Sequence, residues 1–151
     1  MPEEEPLERA REDEREGKSA STQAGEFVRE EIHHIREGKH GARSAKQAIA
    51  IGLSKARRAG VKLKQPKASR TSRETRRKAK LDSKRGRQRR KPSPKRSRGV
   101  ERALKREGHS AASSKALARQ AHSAARRRTK SERASAAKKA AKTRASRRKR
   151  R

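Results

Sequence analysis

One stretch, EFVREEIHHIREGKH, gathers Glu26, Glu30, Glu31, Glu37, His33, His34 and His40, the residue types that do acid–base and metal chemistry. Closely spaced imidazoles suggest a divalent metal, and neighbouring carboxylates suggest general acid–base work. The histidines have neither a cysteine nor a spaced carboxylate partner, so they read as solvated; no metal and no other cofactor is expected. The glutamates read as the polar face of a helix, one that can also hold Lys or Arg of a neighbouring helix. Catalysis needs groups shifted by burial and held in a cleft. With 26% hydrophobic residues, one Phe, no Trp and no Tyr, there is little to line a cleft, and the chain is not expected to be an enzyme.

The second chemistry is phosphate neutralisation. Lys and Arg number 49 against 17 acids, a net charge of +32. The charge is segregated: residues 1–37 hold twelve acids and six bases, residues 38–151 five acids and forty-three bases. Such a basic segment seeks a polyanion. Single-strand platforms need aromatic faces for bases to stack on, so duplex DNA is favoured and RNA is the alternative. The expected contacts are Lys46, Lys55, Arg57, Arg58, Lys62 and Lys64 in the first apolar region, and Arg85, Arg87, Arg89, Arg90, Lys91, Lys95 and Arg96 in the following segment. Arg126, Arg127, Arg128, Lys138, Lys139, Arg147 and Arg148 complete them towards the C-terminus.

Elements that could position these groups are few. Of fifteen Val, Ile, Leu, Met and Phe residues, nine fall between positions 27 and 63. Ala24, Val28, Ile32 and Ile35 form one helical stripe, starting from Ser21 or Thr22 and ending at Gly38. In the next helix Ser44 and Gln47 make an S-x-x-Q capping box, Arg57 and Arg58 occupy the last turn, and Gly60 follows at the C′ position. Ala45, Ile49, Gly52, Leu53 and Ala56 share one face, which packs on the first stripe; Gly52 lets the backbones approach, and Val61 and Leu63 close the open end. So small a hairpin is marginal alone, and self-association through it is one way to stabilise it.

The remainder has too little apolar surface to offset ordering entropy. The expected class is therefore mostly disordered with α structure: an acidic disordered head over 1–20, a helical hairpin over 21–63, a basic disordered linker over 64–98, a weaker second helical region over 99–128 and a basic disordered tail over 129–151. That second region echoes the first, REGKHGARSAKQ…SKARR against REGHSAASSKA…SAARR, a degenerate repeat. The head reads as a tethered polyanion competing with phosphates, or as a solubilising tail. No apolar run reaches the ~18 residues that span a bilayer, the N-terminus lacks the order of a signal peptide, and no membrane partner is expected.

KPSPKR, in the linker, resembles the S-P-K-K elements of histone tails, where a Pro-set turn presents two cations to a DNA groove, and KKAAKTRASRRKRR resembles the Ala/Lys-rich tails of linker histones in composition. More specifically, EGKHGARSAKQAIAIGLSKARRAGVKL resembles the K-Q-A-I-A-I-x-L-S-x-A-R-x-A-G element of small bacterial basic proteins of unknown function, labelled plasmid-stabilisation-like or DNA-binding. The resemblance implies a bacterial source and a helical hairpin, and carries no active residues with it. The expected function is non-sequence-specific, histone-like binding of duplex DNA in the cytoplasmic nucleoid. The alternative is an adaptor or RNA-binding protein that uses the hairpin, with Ile51 as the interaction residue.

Overall fold

The computed structural model describes residues 4–88, 91 and 93–149. It is all-α, not mostly disordered: the described residues form α1 (Glu4–Arg15), α2 (Ala20–Arg36), α3 (Ala45–Arg58), α4 (Arg73–Arg87), α5 (Pro94–Lys105), a 3-10 turn (Ser110–Ala112), α6 (Ser114–Arg126) and α7 (Lys130–Lys149). The chain divides into two units, Met1–Ala116 and Leu117–Arg151.

Local signals set α2 and α3. Ser19 is the N-cap of α2, its Oγ accepting from Thr22 N at 3.3 Å, so the helix starts slightly before the expected Ser21. At its end Gly38 takes φ +77°, with Lys39 N donating to His34 O at 3.0 Å and Gly38 N to Ile35 O at 3.2 Å. In α3, Ser44 Oγ accepts from Gln47 N at 3.2 Å, while Gln47 Oε1 reaches back to Arg43 N rather than to Ser44. Gly60, at φ +101°, ends that helix with the same paired bonds, Val61 N to Ala56 O and Gly60 N to Arg57 O, both 3.1 Å. Both exits are Schellman motifs, satisfying last-turn carbonyls that would otherwise lack donors.

The α2–α3 interface is made of small residues. Along α3 the buried positions are Ala45, Ala48, Gly52 and Ala56, with Arg57 behind them; Ile49 and Leu53, expected on this face, are half-buried at its flanks. A Cβ on Gly52 would lie 2.6 Å from Val28 Cα. At that approach only a hydrogen fits at Gly52, methyl groups flank it along α3, and Ile49 and Leu53 lie at the edges of the face. Leu53 instead joins Leu7, Ala59, Val61 and Leu63 around a buried cluster of Ala10, Ala24, Phe27 and Ala56.

That cluster corrects the disordered head. Residues 4–15 are a helix packed on α2, with Pro6 and Ala10 buried. Arg9 pairs with Glu5, with Glu26 at 2.8 Å and with Glu30 at 3.1 Å. The head is therefore tied to α2 through its own Arg9, as a packed helix rather than a tether. The disordered linker is corrected as well. α4 docks on α3 through Ala79, Asp82 and Gly86, spaced three and four apart; a Cβ on Gly86 would lie 2.2 Å from Arg57 O. Small side chains again permit the approach, and Asp82 accepts from Ser54 Oγ at 2.7 Å and from Arg58 Nε at 2.9 Å. Counting large apolar residues misses contacts of this kind, whose stabilisation comes from close backbone packing and charge-assisted hydrogen bonds.

The second helical region begins in contact with the first. Gly41 N donates to Leu104 O at 2.9 Å, Ala42 N to Gly108 O at 3.0 Å and Arg36 Nε to Ala112 O at 2.9 Å, while Ala42, Ala111 and Ala112 are buried. Pro94 occupies the first turn of α5, where its fixed φ suits a helix, so Pro94, Lys95 and Arg96 open a helix and not a turn. The expected disordered tail is α7, which starts with a reciprocal capping box: Thr129 N donates to Glu132 Oε2 at 3.0 Å and Glu132 N to Thr129 Oγ1 at 3.3 Å.

Candidate nucleic-acid interface

Three of the expected phosphate contacts are engaged within the fold, although Arg58 stays exposed. Lys55 Nζ lies 2.7 Å from Glu31 Oε2, and Arg58 is tied to Asp82. Arg57 is 8% exposed, with Nη1 3.5 Å from Leu53 O. Burial pulls its guanidinium below the ordinary arginine value, an effect that the charge of Asp82 opposes. These cations hold α2, α3 and α4 together. Ile51 is half-buried on α3.

The other described candidates face solvent or its edge. Lys46, Lys62 and Lys64 are exposed around the α2–α3 pair; Arg85 is half-buried and Arg87 exposed at the end of α4; Lys91, Lys95 and Arg96 are exposed at and before the start of α5. Arg89 and Arg90 lie outside the described residues. Arg126, Arg127 and Arg128 are exposed at the end of α6, and Lys138, Lys139, Arg147 and Arg148 are exposed on α7.

α7 has the strongest electrostatic character. It buries no residue, and KSERASAAKKAAKTRASRRK carries nine Lys and Arg against one acid. At 100° per residue the cations fall on every side of the helix. Its twenty residues extend about 30 Å, comparable to nine base-pair steps of duplex. A shallow hollow on α6 adds a concave cationic surface, lined by Arg119, His122, Ser123, Arg126 and Arg127.

Sequence reading passed over the outward face of α4, where Arg73, Arg76, Arg77, Lys80 and Lys84 are exposed. The signal was present. Ser72 caps the helix through Thr75 N at 3.2 Å and Glu74 lies in the first turn, a start pattern readable in TSRETRRKAK. The histidines also differ from expectation. His33 is exposed beside Glu37, its Nε2 2.9 Å from Oε1, but His34 is 3% exposed and His40 is half-buried near Glu31.

Residues 15–68 match the model of a family of unknown function, DUF6496, a span that contains α2, α3 and the Gly60 turn. No curated protein and no solved structure matches the chain. Among the described residues, no helix is long and apolar enough to cross a membrane.

Proposed function

We propose that the chain binds duplex nucleic acid, DNA foremost, without sequence specificity, in the manner of a histone-like protein of the bacterial nucleoid. The observation that carries this reading is α7, a helix with cations all round, one acid and no buried residue. Like charges three and four residues apart cost about 0.2 to 0.5 kcal/mol per pair in such a helix, and phosphates relieve that repulsion. Positioning on phosphates needs no base readout, and no aromatic platform is available for single strands. The α1–α4 helices, in which Arg9, Lys55 and Arg58 pair with acids of neighbouring helices, act as the folded carrier.

The test is equilibrium binding of the full chain to several unrelated duplexes over a salt series. With ~8 to 10 phosphates neutralised, log K should fall against log salt with a slope of roughly −7 to −9, and the duplexes should differ little. A slope near −2, or a hundredfold preference for one sequence, overturns the reading.

A further inference from the structure

Glu31 and His34 lie three residues apart on α2, with 0% and 3% of their surfaces exposed. His40 reaches the same place from the loop that follows the Gly38 turn, its side chain 15% exposed. One carboxylate oxygen of Glu31 and one ring nitrogen from each histidine lie within 4.8 Å of one another.

The orientation of His40 is informative. Its Nδ1 is 3.1 Å from Gly41 O, and a carbonyl can only accept, so Nδ1 carries the hydrogen. Nε2 is then the nitrogen aimed at Glu31, 3.4 Å from a buried Oε1. A ring nitrogen and a carboxylate oxygen that face each other in this way are bridged either by a proton or by a metal ion that replaces it. Lys55 Nζ, at 2.7 Å, sits on the other oxygen, Oε2, and does not fill that place.

The geometry points to a site for a divalent transition-metal ion of the zinc class, held by Glu31, His34 and His40. One carboxylate and two imidazoles suit Zn²⁺, Co²⁺ or Ni²⁺ far better than Mg²⁺ or Ca²⁺, which favour all-oxygen sets. Bonds of ~2.0 to 2.2 Å in a tetrahedral site place donors about 3.4 Å apart. The widest pair must therefore close by roughly 1 to 1.5 Å, within reach of side-chain rotation at His40 and Glu31. An outer layer is in place: the Gly41 carbonyl orients His40, and Glu30 Oε1, 3.1 Å from His34 Nε2, restrains the second ring. Lys55, one-third exposed, competes with the metal for Glu31 and can swing outward. A bound ion clips the loop after α2 to α2 itself, beside the bonds from Gly41 and Ala42 to Leu104 and Gly108. This inference is independent of the nucleic-acid reading.

The experiment uses the full chain, freed of nucleic acid by nuclease and high salt and of metal by a chelator. Zn²⁺ is titrated in competition with a chromophoric chelator, Co²⁺ reports geometry through its visible absorption, and melting is followed with and without Zn²⁺. One Zn²⁺ per chain, a tetrahedral Co²⁺ spectrum and a melting midpoint raised by several degrees are expected. His40→Gln, and separately His34→Gln, should weaken Zn²⁺ binding at least tenfold and remove the stabilisation, with circular dichroism confirming that each metal-free variant is folded. His33→Gln, on the exposed face, should change neither. Lys55→Met should tighten Zn²⁺ binding by removing the competitor. The proposal is overturned by the absence of one-to-one binding, or by equal weakening in His33→Gln and His40→Gln; the cluster would then be a buried ion-pair network, with adventitious binding by surface histidines.

Discussion

α3 and α6 start alike and end differently. Before each helix a buried alanine, Ala42 or Ala111, precedes a serine whose Oγ caps the first turn, Ser44 to Gln47 N and Ser113 to Ala116 N, both at 3.2 Å. Beyond the cap the two diverge. In the shared register Ala48, Gly52, Ala56 and Arg57 of α3, all buried, fall opposite Leu117, Ala121, Ala125 and Arg126 of α6, none of them buried. Ser54 and Arg58 both bond to Asp82, whereas Ser123 and Arg127 bond to each other at 3.4 Å. Similar residues thus serve as internal ties in α3, where α4 supplies Asp82, and remain unburied in α6.

The largest expected effect comes from the glycine. Gly52→Ala gains about 1 kcal/mol of helix propensity, yet its methyl would meet the α2 backbone 2.6 Å away. Overpacking against backbone, at the upper end of about 3 kcal/mol, should outweigh that gain, for a net loss of about 2 kcal/mol in denaturant unfolding. The reverse change in α6, Ala121→Gly, should cost only the propensity. Equal losses at the two sites would break the comparison.

Next in size is the tie itself. Asp82→Asn keeps the shape but removes the charge that receives Ser54 and Arg58, and should cost roughly 1 to 3 kcal/mol, measured by the same unfolding. Nucleic-acid affinity should rise slightly if Arg58 is released to solvent.

Removing Arg126, Arg127 and Arg128 together, as glutamines, should leave unfolding unchanged and make the salt slope of duplex binding shallower by roughly 2 to 3. Arg57→Gln should do the opposite, lowering stability with little effect on the slope. If Arg57→Gln moves the slope as much as the triple variant does, buried and exposed arginines are not divided as the structure divides them.

The smallest effect sharpens the comparison at an exposed pair. Lys78, 2.7 Å from Glu74, holds that carboxyl below the ordinary carboxylate value, chiefly by hydrogen bonding. A depressed carboxyl contributes stability that is present above its unfolded value near 4.3 and lost as pH falls through its folded value. Lys78→Ala should return Glu74 toward the ordinary range in an NMR titration without a measurable change in melting at pH 7, because exposed pairs contribute little. A clear drop in melting would show that surface pairs carry more of α4 than its docking face does.

The sequence by itself determined what depends on neighbours along the chain. The cap at Ser44, the stops at Gly38 and Gly60, and the excess of cations after residue 37 follow from short-range hydrogen bonding and composition. The Thr129–Glu132 box was equally legible, although a Lys- and Arg-rich tail draws attention to its charge first. Tertiary structure alone decided which small residues become an interface and which cations are consumed. Ala48 is not apolar enough to stand out on a helical wheel, and Asp82 lies 24 residues from Arg58. Burial there arises from the approach of two backbones and from charge-assisted bonds between distant elements, neither of which has a sequence period. Residue types alone therefore assign Lys55, Arg57 and Arg58 to phosphate and His34 and His40 to solvent, whereas the packing of α2, α3 and α4 buries Arg57 and His34 and brings Lys55, Arg58 and His40 against Glu31 and Asp82.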